Sequence, residues 1–539
     1  MDFDLLIRGG SVVDGSGAPA FIADVGLRGD RIAALGALPD AGAARVIDAT
    51  DRVVSPGFID AHPHSETALR GNGEIWGSVL QGVTTHLTGP DGFGWAPLPP
   101  DRSAELWRST AFAYGQPDMR PEWPTIEDYL GGFAGTIAIN VVPMAPHQPI
   151  RFAVMGWDGR PPTPDEMDRM RALTRDWMEA GAVGLNTGLD YQPAANADTA
   201  ELVELARVAR EYGGIYAAHI RYNASGKPAA YRESIEIGRR AEIPVRLSHE
   251  SVDDETEPLL EEAHRAGVDL GIDWYLYPAG SSHLLVWLPP KDQIGGVEGL
   301  VRRLRDEPEH RRRIGAIIEA QIQQQYAAGV REYFSDTRTG RHIGRSIAEI
   351  ASERGTSIGD TAVDLIVEES PDAVLVFRRG ISEEAFDALA RRTLAHPAFM
   401  VASDGLYHGA RPHPRGYGCY AQVLGAFVRD RRLVTLERAV HLMSGLPAER
   451  FGIHDRGRIA EGLAADLVVF DPLTVGAQAT WEAPRAPAVG IDAVIVNGQV
   501  VAEAGRPTAA RPGRVIRAEN RRRGRRSTSS PSSIAAEGP

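Results

Sequence analysis

Apolar and polar residues alternate from the start of the chain, in "DLLIRGGSVVDG", "ADVGLRGDRIAAL" and "RVIDATDRVVSPG". A period of two marks half-buried strands, so residues 1–54 predict short strands joined by turns. The same style returns near the other end, in "ADLVVFDP" and "IDAVIVNGQVVAEAG". Two β-rich ends flanking a different middle predict one small β-sandwich domain assembled from 1–54 and 456–517.

The middle changes character. Near-continuous apolar runs alternate with amphipathic helical patterns such as "PDEMDRMRALTRDWMEAG" and "TAELVELARVAREYG". The runs, in order, are "GFIDAHPH", "GVTTHLTG", "IAINVVPM", "GAVGLNTG", "IYAAHI", "PVRLSHE", "VDLGIDWYLY" and "AFMVASDG". Strands apolar on both faces and separated by helices belong to a parallel sheet, and eight of them predict an α/β fold, a (β/α)8 TIM barrel, over 55–455. The stretch from His283 to Pro397 is too long for one connection and predicts an insertion, at about 284–345, beside the barrel mouth. The end of the chain, 518–539, is polar, arginine-rich and without apolar periodicity, as expected of a disordered tail.

Composition narrows the classes. Of 539 residues, 43% are hydrophobic and 24% charged, which is ordinary for a globular chain. A net charge of −14 disfavours a nucleic-acid partner. Cys419 is the sole cysteine, so no internal disulfide forms. No apolar run approaches the roughly 18 residues of a membrane span, and no signal peptide precedes the first strand. The expectation is a cytoplasmic protein with a small-molecule partner and no membrane or nucleic-acid partner; the sequence leaves its oligomeric state open.

Chemistry concentrates where a barrel would place it, at the C-terminal strand ends. His62 and His64 close the first strand, and a strand points alternate residues to one side. Asp91 follows the second strand, His219 ends the fifth, His249 the sixth and Asp404 the eighth. A lone strand-end histidine is usually a hydrogen-bonded structural residue. Their convergence on one mouth predicts a metal site, and imidazoles with carboxylates but no thiolate suit one or two ions of Zn²⁺ or a similar divalent metal.

These motifs resemble the amidohydrolase superfamily and, more closely, its D-aminoacylase (N-acyl-D-amino-acid deacylase) family. The resemblance rests on "GFIDAHPH", "GVTTHLTGPDGFGWAPL", "VGLNTGLDYQP", "GGIYAAHIR", "IPVRLSHE", "YLYPAGSS", "HPRGYG" and "LPAERFGIHDRGRIAEGLAADLVVFDP". It implies hydrolysis of an amide C–N bond outside peptide chains. His219, His249 and Asp91 would then hold the tighter metal, with His62 and His64 completing a second site or orienting the ligands. Asp404 would serve as general base and then general acid. Three positions depart from the family pattern. Asp91 stands where the family has a metal-ligating cysteine. Ser251 stands where a lysine helps pair the substrate carboxylate. Tyr222-Asn223 replaces an acidic pair. No lysine lies between His64 and His219, which excludes a carboxylated lysine as a metal bridge.

For the substrate carboxylate the resemblance leaves Tyr277 and Arg415. Tyr191 and Ser281 are candidate substrate contacts; Arg221 would orient substrate or pair with a carboxylate. The altered positions keep alternatives open: an enzyme opening a cyclic amide or deaminating a heterocycle, or a catalytically inactive binding protein.

Overall fold

The computed structural model describes residues 2–71, 75–115 and 122–518. Of the expected tail, 518–539, all but Ala518 lies outside the described residues.

The strands predicted from apolar runs form the barrel. They are Phe58–Asp60, Val83–Thr88, Asn140–Pro143 (continued by Ala145–Pro146), Gly184–Gly188, Ile215–His219, Val245–Leu247, Leu270–Trp274 and Phe399–Val401. Each pairs in parallel with the next. The ring closes at the mouth, where Pro63–His64 pairs in parallel with Gly405–Leu406. Below that, Asp60 Oδ1 accepts from the Ser403 amide at 3.0 Å, and the Tyr420 hydroxyl donates to the Ile59 carbonyl at 3.2 Å.

The intervening helices begin where the sequence supplies caps. Thr163 and Glu166 form a reciprocal capping box before Pro164–Glu179, and Asp198 caps Thr199–Glu211. Their apolar stripes, including Met170, Trp177, Leu202 and Leu205, are buried in the main core.

Both termini build the small β domain. A nine-stranded sheet sets Leu467–Phe470 between Val53–Pro56 and Ile491–Val496, with Phe3–Val12, Phe21–Arg28 and Arg31–Gly36 continuing from Val53–Pro56. Phe3–Val12 pairs with Ala43–Asp48 along its first half and with Val53–Pro56 at its end. The change of partner falls at Gly9, whose φ of 71° requires glycine. This splitting wraps the sheet around a separate core of Leu5, Ile7, Val25, Leu467 and Ile495.

Two boundaries differ from the sequence reading. The insertion is wider than 284–345: it contains an antiparallel sheet of Ala279–His283, Val374–Arg379 and Val330–Asp336, in that spatial order. Helices between these strands pack Leu300, Ile314, Ile318 and Leu365 into a core of their own. The sheet partners are so far apart in sequence that local periodicity could not pair them. At the C-terminus, the chain leaves the small domain after Arg506–Pro507. It then returns to the barrel: the Val141 amide donates to Arg514 at 2.9 Å and the Ile516 amide to Val141 at 2.7 Å. The small domain therefore stops short of residue 517, because the third barrel strand offers its edge.

Candidate metal centre

Turns at the strand ends aim the polar residues inward. Asp60 fixes the first turn by accepting from the His62 amide at 3.2 Å while holding Ser403 just beyond the eighth strand. Asp91, His249 and Asp404 follow their strands with φ values of 53°, 48° and 46°. Left-handed backbone is costly outside glycine, and three such residues around one mouth mark stored strain of the kind found at functional sites. The Asp91 turn lies against the end of the fourth strand, where a Cβ at Gly188 would collide with the Asp91 carbonyl.

The result is one buried cluster. Donor atoms of His62, His64 and Asp91 lie within 4.8 Å of one another, as do those of Asp91, His219 and His249, so Asp91 belongs to both triads. Asp91 Oδ1 is 3.3 Å from His62 Nε2, and Oδ2 is 3.7 Å from His64 Nε2 and 3.9 Å from His219 Nδ1. His219 Nδ1 and His249 Nε2 face each other at 2.9 Å. Asp404 Oδ1 is 3.4 Å from His64 Nε2, while Oδ2 is 2.8 Å from Arg415 Nη1.

Charged and titratable groups in this cluster shift one another strongly. Burial opposes a charge on His62, yet Asp91, Asp404 and Asp273 around it push its pKa up to about 10. Against the penalty of burial, His62 holds the Asp91 carboxyl below the usual range, and Arg415 does the same for Asp404. Burial and His219 push His249 down to about 3. His62 Nε2 and Asp91 Oδ1 are buried with no hydrogen-bond partner. Buried polar atoms are almost always paired, so these two mark a place for a ligand between them. Imidazole nitrogens and carboxylate oxygens converging there fit a divalent cation.

The cluster floors a cavity of about 360 Å³, within the usual range for a small-molecule site. Tyr191 lines it with its ring 4.7 Å from that of His219, and Ser281 reaches it from the insertion while its hydroxyl donates to the Leu375 carbonyl at 3.0 Å. Arg415 also lines it, lying 4.4 Å over the Tyr275 ring.

Two expected substrate contacts are not brought here. The Arg221 guanidinium is committed elsewhere, to Glu233 at 2.6 Å and to the carbonyls of Ala195 and Ala197. Tyr277 points away, packing on His413 and bordering a different cavity. The cause is Leu276, whose φ of 57° breaks the strand alternation and presents Tyr275 instead.

The sequence reading also missed the residues that hold the histidines. Asp190 Oδ2 lies 3.2 Å from His219 Nε2 and accepts from Asn223 Nδ2 at 3.1 Å. Asp273, which burial pushes up to about 7, accepts from the His249 amide at 2.9 Å and lies 3.8 Å from His62 Nδ1. Both were visible as carboxylates at strand ends, in "GLDYQP" and "GIDWY".

Known proteins share this architecture. The amidohydrolase family model matches residues 45–502. The chain belongs to the amidohydrolase family. This amidohydrolase is 35% identical to the D-aminoacylase of Alcaligenes xylosoxydans xylosoxydans, over 95% of its own length and 97% of the relative's. It is 37% identical to the N-acyl-D-glutamate deacylase of the same organism, over 95% and 96%. Among solved structures, the N-acyl-D-glutamate deacylase of Bordetella bronchiseptica, complexed with zinc and a phosphonate mimic of the tetrahedral intermediate, superposes with a TM-score of 0.79. That match has 34% identity and covers 96% of this amidohydrolase and all of the solved chain. Among the described residues, no helix of the amidohydrolase is long and apolar enough to cross a membrane.

Proposed function

We propose that this amidohydrolase is a metal-dependent N-acyl-D-amino-acid deacylase, cleaving the amide C–N bond of a small substrate in the cytoplasm. The observation that carries the reading is the pair of donor triads sharing Asp91, with Asp404 Oδ1 beside them. The deacylase relatives and the zinc complex of one of them support the amide, the D configuration and the metal.

His219, His249 and Asp91 would hold the tighter ion, and His62 and His64 with Asp91 a second. A divalent cation there supplies Lewis acidity, lowering the pKa of water and polarising a carbonyl. Asp404 takes the proton of the attacking water on Oδ1 and passes it to the nitrogen of the departing amine. Arg415, on Oδ2, keeps that carboxylate ionised until it is needed. Asp190 holds the His219 ring, and Asp273 the backbone of His249, in the orientation the ion requires. Tyr191 and Phe93, with ring centroids 5.0 Å apart, form an apolar wall against which an acyl group rests.

The test is a screen of Zn²⁺-loaded protein against N-acetyl-D-amino acids, their L-enantiomers and cyclic amides. Release of free D-amino acid, with the L-form turned over far more slowly, is the expected result. Turnover of cyclic amides alone would replace this reading.

A further inference from the structure

Resting on the deacylase reading, we propose that Arg379 receives a carboxylate of the substrate. The cations lining the cavity are Lys227, Arg379 and Arg415. Lys227 is paired with Glu250 at 3.2 Å, and the charge of Arg415 is offset by Asp404 at 2.8 Å, although its Nε and Nη1 make no hydrogen bond. Arg379 is exposed and makes no ion pair or side-chain hydrogen bond with any described residue. Ser251 lies buried outside the cavity wall and adds no charge.

The strand that carries Arg379 fixes its direction. Phe377 and Arg379 both line the cavity, whereas Arg378 between them stacks on Trp481 at 4.9 Å, as alternation demands. The backbone is pinned, with the Arg379 amide donating to Pro278 at 2.9 Å and Gly380 donating to Gly329 at 3.0 Å. A guanidinium presented from a fixed strand can grip a carboxylate through two parallel hydrogen bonds, which a point charge such as lysine cannot do. Because the strand belongs to the insertion, the insertion supplies the selectivity for an anionic substrate, while the barrel supplies the chemistry.

Calorimetric titration of the Zn²⁺-loaded protein with D-leucine, D-glutamate and D-leucinamide tests this without requiring turnover, since these ligands carry no acyl group to lose. Arg379→Gln should weaken binding of a carboxylate-bearing ligand roughly 10- to 100-fold, the worth of a charge-assisted contact. D-Leucinamide should be unaffected, and Arg378→Gln should bind all three like the parent. Weakening of D-leucine and D-glutamate alike assigns the α-carboxylate; weakening of D-glutamate alone assigns the side-chain carboxylate. Equal affinities of parent and Arg379→Gln for all three ligands, as for a merely solvated arginine, overturn the proposal, and so does a parent that binds none of them. Failure of the acyl-substrate screen with a positive result here would remove the deacylase reading and leave the anion subsite standing.

Discussion

The barrel buries a polar cluster at each end, and the two are built on opposite principles. At the base, Asp466 accepts from Arg456, from Asn140 Nδ2 at 2.9 Å and from the Asn497 amide at 2.6 Å. Asn497 Nδ2 in turn donates to the Asn140 and Pro512 carbonyl oxygens, each at 2.8 Å. Both Asp466 oxygens and both side-chain amides have partners, Arg456 Nε makes no hydrogen bond but lies 3.5 Å from Asp455, and the network joins the small β domain to the barrel. At the mouth, five ligand-type residues crowd together, and His62 Nε2 and Asp91 Oδ1, 3.3 Å apart, form no hydrogen bond. A buried carboxylate with both oxygens bonded serves structure; one with an oxygen left over, surrounded by strained backbone, is kept for what it binds. His147 makes the same point from the middle of the fold. It could have lined the mouth, yet both ring nitrogens are used, at 2.8 Å on Thr187 and 2.9 Å on Glu201.

The sharpest way to break the comparison is to change one carboxylate at each end. Asp404→Asn removes the proton acceptor at the mouth and should lower kcat about 10²- to 10⁴-fold, the usual worth of general acid–base catalysis. Zinc content by mass spectrometry should remain that of the parent; full turnover in this variant would end the proton-transfer role. At the base, Asp466→Ala strands the buried Arg456 and should cost about 3–5 kcal/mol in urea unfolding. Zinc bound per folded molecule should not change. A base variant that lost metal while keeping its stability would show that the two ends are not separable.

Much of this division is legible in the chain itself. The barrel strands announce themselves because a parallel strand is buried on both faces, and the histidines stand out because each interrupts an apolar run at its end. What hides is whatever depends on one backbone angle or on a distant partner. "WYLYPAG" offers two tyrosines of equal merit, and only the left-handed turn at Leu276 chooses Tyr275 for the cavity. Arg221 looks as available as Arg415 until Glu233, twelve residues later on a helix, claims it. The insertion defeats periodicity for the same reason: Ala279–His283 finds its strand partner only at Val374–Arg379.

The smallest expected effect is the most discriminating, because it asks the mouth to behave like the base. If the orphaned atoms exist to meet a cation, zinc must stabilise the folded protein by mass action, since it binds the native state and not the unfolded chain. At about a hundredfold excess over its dissociation constant the gain is about 2.7 kcal/mol, read as a shift in the urea midpoint with unchanged slope. Asp91→Asn should abolish that gain, because the shared carboxylate leaves both triads at once. His147→Gln should keep it, although the variant starts from lower stability, having lost a buried and fully bonded imidazole. Were zinc to stabilise the parent and Asp91→Asn equally, the ion would be held elsewhere, and the unpaired atoms at the mouth would need another explanation.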